Sequence, residues 1–302
     1  MRKISDYLLL TLKGMAMGAA DVVPGVSGGT IAFISGIYEE LLSSIKSINL
    51  TTIKLLLTFK FRQFWEKVNG NFLLAVVLGI GISIFSLARV MTWLLENEPI
   101  PTWAFFFGLI IASSLMVSRD VSKWNWGSIA ALVIGAILAY MITVITPAST
   151  PDAWWFIIIS GAIAICAMIL PGISGSFILL LLGKYAFSMT AVSNLRLNII
   201  ALFGIGAIAG IISFYHVLSW LLSHYRNITI ALLTGFMIGS LNKIWPWKEV
   251  IETYTNSHGQ VKPLVESNIL PSTYETMNGV DAQLWQAILF CIIGFALIYG
   301  IE

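Results

Sequence analysis

The stretch AADVVPGVSGGTIAFISGIYE, residues 19–39, returns as CAMILPGISGSFILLLLGKYA, residues 166–186, at an offset of 147. Pro24 matches Pro171, Gly25 matches Gly172, Ser27 matches Ser174 and Gly28 matches Gly175. Gly36 matches Gly183 and Tyr38 matches Tyr185. Each copy lies inside an apolar run. Proline has no N–H to donate and disfavours helix at the residue before it. Glycine then permits a turn. Each copy therefore predicts a helix that breaks at Pro-Gly and restarts behind Ser27 or Ser174, running to about residue 45 or 193.

The rest of the chain says what surrounds the breaks. Of 302 residues, 58% are hydrophobic and 11% charged, against about 25% charged in soluble domains. The solvent is therefore a bilayer. Runs at about 71–95, 102–118, 126–146, 199–222, 228–243 and 284–301 are long enough to read as membrane helices. The broken stretches, 4–45 and 154–193, are two further membrane elements. Net charge is +2, which excludes a nucleic-acid footprint. Cys166 and Cys291 sit in apolar runs, and three histidines are too scattered for a metal cluster. No metal or cofactor is expected. The first residues imitate a secretory signal, but Lys13 interrupts the apolar part and the repeat begins at once, so the N-terminus is read as retained.

The repeat continues past the breaks. Residues 79–113 align without gaps to 206–240 with twelve identities in 35 positions, among them Gly79/Gly206, Trp93/Trp220 and Gly108/Gly235. Trp126, Gly135 and Tyr140 match Trp285, Gly294 and Tyr299 at an offset of 159. The changing offset puts an insertion of 20 residues in the first unit, at the amphipathic segment 46–67, and one of 32 in the second, at the polar loop 245–280. Residues 1–146 and 147–302 are thus two units, each a broken element and three helices.

Charge chooses between topologies. If each break is a re-entrant hairpin, the units are inverted repeats; if each crosses once, they are parallel. With hairpins, Arg2, Lys3, Lys46, Lys54, Lys60, Arg62, Lys67, Arg119, Lys123 and Arg226 fall on one side. The other side receives the acidic segments 96–101, 147–153 and 245–280. Positive residues collect inside. The expected architecture is an all-α polytopic membrane protein of two inverted repeats, both termini cytoplasmic.

In hydrocarbon a broken backbone survives only where protein buries it or a wet cavity receives it. Half-helix N-termini present N–H groups that suit an anion, phosphate above all. A single break reads as a packing kink; two at equivalent positions, both followed by Ser-Gly, favour a site. Arg89 in FSLARVMTWLL is an intramembrane cation, a headgroup ligand unless it snorkels outward. Its repeat partner is His216. Asp21, three residues before Pro24, is Met168 in the second copy. It is a candidate for a coupling proton or sodium ion, or for capping exposed N–H groups. Glu39 is a second such candidate, although it and Lys184 stand where the membrane interface is expected. Segment 46–67 alternates basic and apolar residues and predicts an in-plane helix on anionic lipid.

Residues 14–42, GMAMGAADVVPGVSGGTIAFISGIYEELL, resemble the signature of a bacterial membrane family, the PopT-type polyprenyl-phosphate transporters, and 170–185, LPGISGSFILLLLGKY, resemble its second hallmark. The resemblance implies translocation of undecaprenyl phosphate across the cytoplasmic membrane for carrier-lipid recycling. It carries Asp21, Pro24, Gly25, Ser27, Gly28, Gly29, Pro171, Gly172, Ser174 and Gly175 over as motif positions. Thr30 and Ser176 complete the expected headgroup contacts, and Ser176–Phe177 against Gly29–Thr30 means that the two hairpins need not contribute equally. No enzyme activity is expected: the pyrophosphatase of similar layout has an arginine after the serine, and here glycine stands there. A small-anion channel or carrier is the other reading.

Overall fold

A computed structural model describes residues 2–22, 27–145, 147, 150–255 and 261–301. Within the helices and strands it gives no side-chain placement for residues 22, 50, 85, 87–89, 92, 193, 254, 255, 262, 264 and 301. The chain is mostly helical, a polytopic membrane protein. Helix α1 (Ile4–Val22) leads to the first break, then come α2 (Gly28–Ile34) and α3 (Tyr38–Lys46). The surface pair α4 (Leu50–Leu57) and α5 (Phe61–Lys67) precedes three long helices, α6 (Gly70–Asn97), α7 (Pro99–Arg119) and α8 (Trp126–Val144). The second half begins with α9 (Trp154–Ile169), α10 (Gly175–Leu181) and α11 (Tyr185–Ser193), then α12 (Leu197–His224) and α13 (Arg226–Ser240). A hairpin of β1 (Lys248–Thr255) and β2 (Val261–Asn268), α14 (Pro271–Asn278) and α15 (Leu284–Ile301) complete it.

Among the described residues, α7, α8 and α12 are long and apolar enough to cross a membrane singly. The bent pairs Phe61–Lys67 with Gly70–Ile84 and Gly175–Leu181 with Tyr185–Val192 meet the same test together, the second bent by 114°. Val133, Ile134, Ile137 and Leu138 of α8 and Ile288, Leu289, Ile292 and Ile293 of α15 face outward. Such apolar belts suit lipid, not water.

Helices pair where glycine lets backbones touch. A Cβ on Gly79 of α6 would stand 2.1 Å from Thr11 O of α1; one on Gly206 of α12 would stand 1.9 Å from Ile158 O of α9. These are repeat-equivalent contacts. The next pair crosses between halves. A Cβ on Gly108 of α7 would stand 1.9 Å from Cys291 O of α15, and one on Gly235 of α13 would stand 2.1 Å from Leu132 O of α8. Each half thus lends one helix to the other.

The broken elements turn back on themselves. Arg2 at the start of the first pairs with Glu40 near its end at 2.5 Å, and Lys13 Nζ donates to Ser35 O at 2.7 Å. In the second, Lys184 Nζ meets Asp152 at 2.5 Å and Thr150 Oγ1 donates to Leu182 O at 2.5 Å.

Three expectations are corrected. The helix behind each break does not run on to 45 or 193. It ends after seven residues, because Gly36 (φ 71°) and Gly183 (φ 62°) adopt left-handed backbone. The N–H groups of Ile37 and Lys184 then bond back to Ala32 O and Leu179 O, a glycine C-cap at the same place in both copies. Segment 46–67 is two short helices, not one, because Phe59 turns left-handed between them. The stretch 245–280 is folded and departs from an all-α class: β1 and β2 pair antiparallel, Lys248 opposite Asn268. The indoles of Trp245 and Trp247 pin this region by donating to Ile269 O and Ala282 O. Lys184, expected at the interface, is buried within the protein, 1% exposed, with its ammonium near the rings of Phe156 and Phe187.

Candidate functional site

The two breaks meet. Pro171 halts α9 and leaves its last carbonyls without helical partners. The first broken element supplies partners. Ser27 Oγ donates to Met168 O at 2.8 Å and Tyr38 OH donates to Ile169 O at 3.1 Å. In return Gly172 N–H donates to Thr30 Oγ1 at 2.9 Å. Gly29 lies so near Ile169 O that a Cβ would stand 2.6 Å from it. Gly172 has φ +90°, which favours glycine, and backs onto Met237 and Ser240 of α13.

Identical motifs end differently. At the first break, Ser27 is a true N-cap: its hydroxyl accepts the Gly29 N–H at 3.0 Å. Asp21 Oδ1 accepts the Gly28 N–H at 2.7 Å. The capping role read for Asp21 is thus present, and this half-helix end is satisfied from within. At the second break Met168 replaces the acid, and Ser174 makes no cap bond. Its hydroxyl lies 2.8 Å from Ser176 Oγ instead. This uncapped end opens on a cavity of about 490 Å³ lined by Ser174, Gly175, Ser176, Tyr185 and Ser188, with Asp21 at its edge and aliphatic walls from α9, α11 and α12. Two hydroxyls and first-turn N–H groups can donate there to an anion, and the walls suit a hydrocarbon chain.

The two hairpins differ in cover at one repeat position. Tyr215 and Leu218 of α12 are buried in one cluster with Tyr38 and Leu42 of α3. Leu42 is 4% exposed, but its repeat equivalent on α11, Met189, is 41% exposed and lines the cavity.

Of the predicted site residues, the structure joins Ser27, Gly28, Gly29, Thr30, Pro171, Gly172, Ser174, Gly175, Ser176 and Asp21. Pro24 and Gly25 lie outside the described residues, as does the side chain of Arg89. His216 stands apart, exposed on α12 with Nδ1 2.6 Å from Ile212 O of its own helix. Glu39 is also remote: it pairs at the surface with Arg226 at 2.7 Å. Among the described residues no three His, Cys, Asp or Glu side chains converge as a metal site would require. Tyr38 was missed as a junction residue, although its match with Tyr185 was the available signal.

A family model described as undecaprenyl phosphate translocase-like matches residues 17–262. A polyprenyl-phosphate transporter of Vibrio cholerae is 47% identical over 300 residues, covering 99% of this chain and 97% of that protein. A polyprenyl-phosphate transporter of Staphylococcus aureus is 35% identical over 255 residues, covering 78% and 85%. No solved structure matches the chain. With most of its length matched by the model and nearly all of it aligned to the Vibrio protein, the chain belongs to the undecaprenyl phosphate translocase-like family.

Proposed function

We propose that the protein flips undecaprenyl phosphate across the bacterial cytoplasmic membrane, recycling the carrier lipid without catalysing a covalent step. The observation that carries this is the junction of the two breaks, where an uncapped, hydroxyl-lined half-helix end opens on an apolar cavity. A phosphorylated lipid needs donors for its headgroup and an apolar path for its tail. Ser174, Gly175 and Ser176 receive the headgroup, with Arg89 as the matching cation. Asp21 at the cavity edge exchanges the coupling proton.

The mechanism is alternating access between inverted halves. Inversion is supported by the ion pairs that close each broken element at opposite ends of the molecule. Arg2–Glu40 lies at the end where Arg226 meets Glu39 and Ser122 meets Asn227. Lys184–Asp152 lies at the end where Asn242 bonds Thr143. α8 connects the two ends. The first end carries the excess of basic residues and is assigned to the cytoplasm. In this state the half-helix end of the outer hairpin opens on its cavity while that of the cytoplasmic hairpin is capped, so the site faces outward.

The test is leaflet-resolved movement of undecaprenyl phosphate in proteoliposomes. Wild type moves the lipid; Ser174→Ala/Ser176→Ala slows it about tenfold, the loss of roughly 1.4 kcal/mol of headgroup binding. Folded wild type that moves no lipid, with or without an ion gradient, refutes the reading. Anion uptake into liposomes free of polyprenyl lipid would favour a small-anion carrier instead.

A further inference from the structure

A second cavity, of about 370 Å³, lies against the other face of α10. Ser176 and Leu179 face the first cavity, whereas Phe177 and Leu181 face this one. It sits beneath the β-hairpin, and its charged lining residues are Lys243, Lys248 and Glu266. Both ammonium groups address one oxygen, Glu266 Oε2, from 2.9 Å and 3.5 Å. Lys248 Nζ also donates to Lys243 O at 2.7 Å and lies 4.1 Å from the centre of the Trp103 ring. Lys243 Nζ lies 4.9 Å from the centre of the Phe177 ring. The three side chains are only 7% (Lys248), 15% (Lys243) and 20% (Glu266) exposed.

Two ammonium groups facing one carboxylate leave a net charge of +1 in a largely buried place. A structural ion pair needs only one of the lysines. Burying a surplus charge costs several kcal/mol unless something neutralises it. Burial, reinforced by Lys243 and opposed by Glu266, brings Lys248 down to about 8, still charged at neutral pH. Burial pushes the other way on Glu266, yet Lys248 and Lys243 together hold it below the usual carboxylate range. An ammonium has three donors; that of Lys243 meets one hydrogen-bond acceptor among the described residues. Around the cluster stand neutral donors and acceptors, Thr143, Asn242, Ser267 and Asn268, and the apolar Val144 and Ile251.

We propose that Lys243 and Lys248 form a second anion site, which takes a phosphate monoester at the end of the molecule that carries the β-hairpin. As a landing point for a lipid headgroup, one helix-width from the junction of the breaks, it rests on the transport reading. As a phosphate site it stands alone. Lys243 is the recognition residue, Lys248 supplies the second positive charge, and Glu266 keeps the two ammonium groups together when the site is empty.

The experiment measures binding to the detergent-solubilised full chain by calorimetry, with inorganic phosphate, farnesyl phosphate and uncharged farnesol as probes. Farnesyl phosphate is expected to bind and farnesol not. Lys243→Gln should weaken binding about tenfold, as loss of a charge-assisted bond requires, while Lys243→Arg keeps it. Glu266→Gln raises the cluster to +2 and should tighten binding. These opposite signs separate a site from an ion network that merely holds the hairpin, for which both variants lower the melting temperature and neither changes affinity. Inorganic phosphate binding as tightly as farnesyl phosphate supports a site for the free ion; farnesyl phosphate binding much more tightly supports the lipid. Unchanged affinity in Lys243→Gln, with Ser174→Ala/Ser176→Ala removing the binding, overturns the proposal and leaves transport intact. Lost affinity in Lys243→Gln with a wild type that moves no lipid keeps the site and sinks the transport reading.

Discussion

Ser27 and Ser174 occupy the same motif position, yet replacing them by alanine should have opposite consequences. Ser27 is fully buried and its hydroxyl has two tasks: it caps α2 through the Gly29 N–H and bridges the halves through Met168 O. A lost N-cap costs about 1 kcal/mol. A lost interhelical bond in a membrane protein costs about 0.6 kcal/mol on average and up to about 1.7. Ser27→Ala should therefore destabilise by roughly 2 kcal/mol, several degrees of melting temperature for a chain of this size. Among the described residues Ser174 caps nothing and its hydroxyl bonds only Ser176, so Ser174→Ala should cost about 0.5 kcal/mol or less. In transport the order reverses, because Ser174 lines the open cavity. The assay is a pair of measurements on both variants: thermal unfolding in one detergent, and undecaprenyl-phosphate movement normalised to folded protein. Equal melting shifts would refute the asymmetric capping. A Ser174→Ala protein with wild-type movement, beside a folded Ser27→Ala protein that has lost it, would refute the choice of the second break as the headgroup end.

Three further outcomes follow from neighbouring contacts. Gly206→Ala puts a Cβ 1.9 Å from a backbone carbonyl, whereas Gly204→Ala meets nothing within 4 Å; the first should lose about 1–3 kcal/mol and the second gain slightly, as ranked by thermal melts. Asp152→Asn leaves the buried Lys184 ammonium without a counter-charge and should cost about 3 kcal/mol. Lys184→Met leaves Asp152 at an exposed position, 65% accessible, and should cost less; the reverse order in unfolding would contradict the buried cation. Phosphate-monoester binding should fall on the order of tenfold between pH 7 and 9.5, measured by calorimetry, because Lys248 loses its proton through about 8 and the cluster goes from +1 to neutral. Lys248 of β1 faces Glu266 of β2, Lys243 beyond α13 and the Trp103 ring of α7. The ligand keeps its charge over that range, since its second ionisation is near 6.

The membrane helices, the repeat and both Pro-Gly breaks were readable because each rests on local chemistry: apolar length, spacing and a missing N–H. The second turn in each element was not read, although Gly36 and Gly183 were aligned. A glycine in an apolar run is compatible with helix, and only the return of the chain onto α1 or α9 requires φ > 0 there. The 245–280 fold escaped because its strands are rich in polar residues, and two indole hydrogen bonds from outside them hold the region in place. The burial of Lys184 was not legible because a lysine buries only when a partner distant in sequence waits for it, here Asp152.

The Pro-Gly-x-Ser-Gly break itself divides along the same line. Sequence alone determined that the chain must break twice in the membrane, at matching places, and that hydroxyls and free N–H groups would gather there. It could not say which break is closed. Tertiary structure decided that, by setting Asp21 and Met168 at equivalent positions against different neighbours, the acid on the Gly28 N–H and the methionine carbonyl on the Ser27 hydroxyl. A cap is a local hydrogen bond, but whether it forms depends on which distant carbonyl or carboxylate arrives at that end, and two identical motifs in one chain do not share that environment.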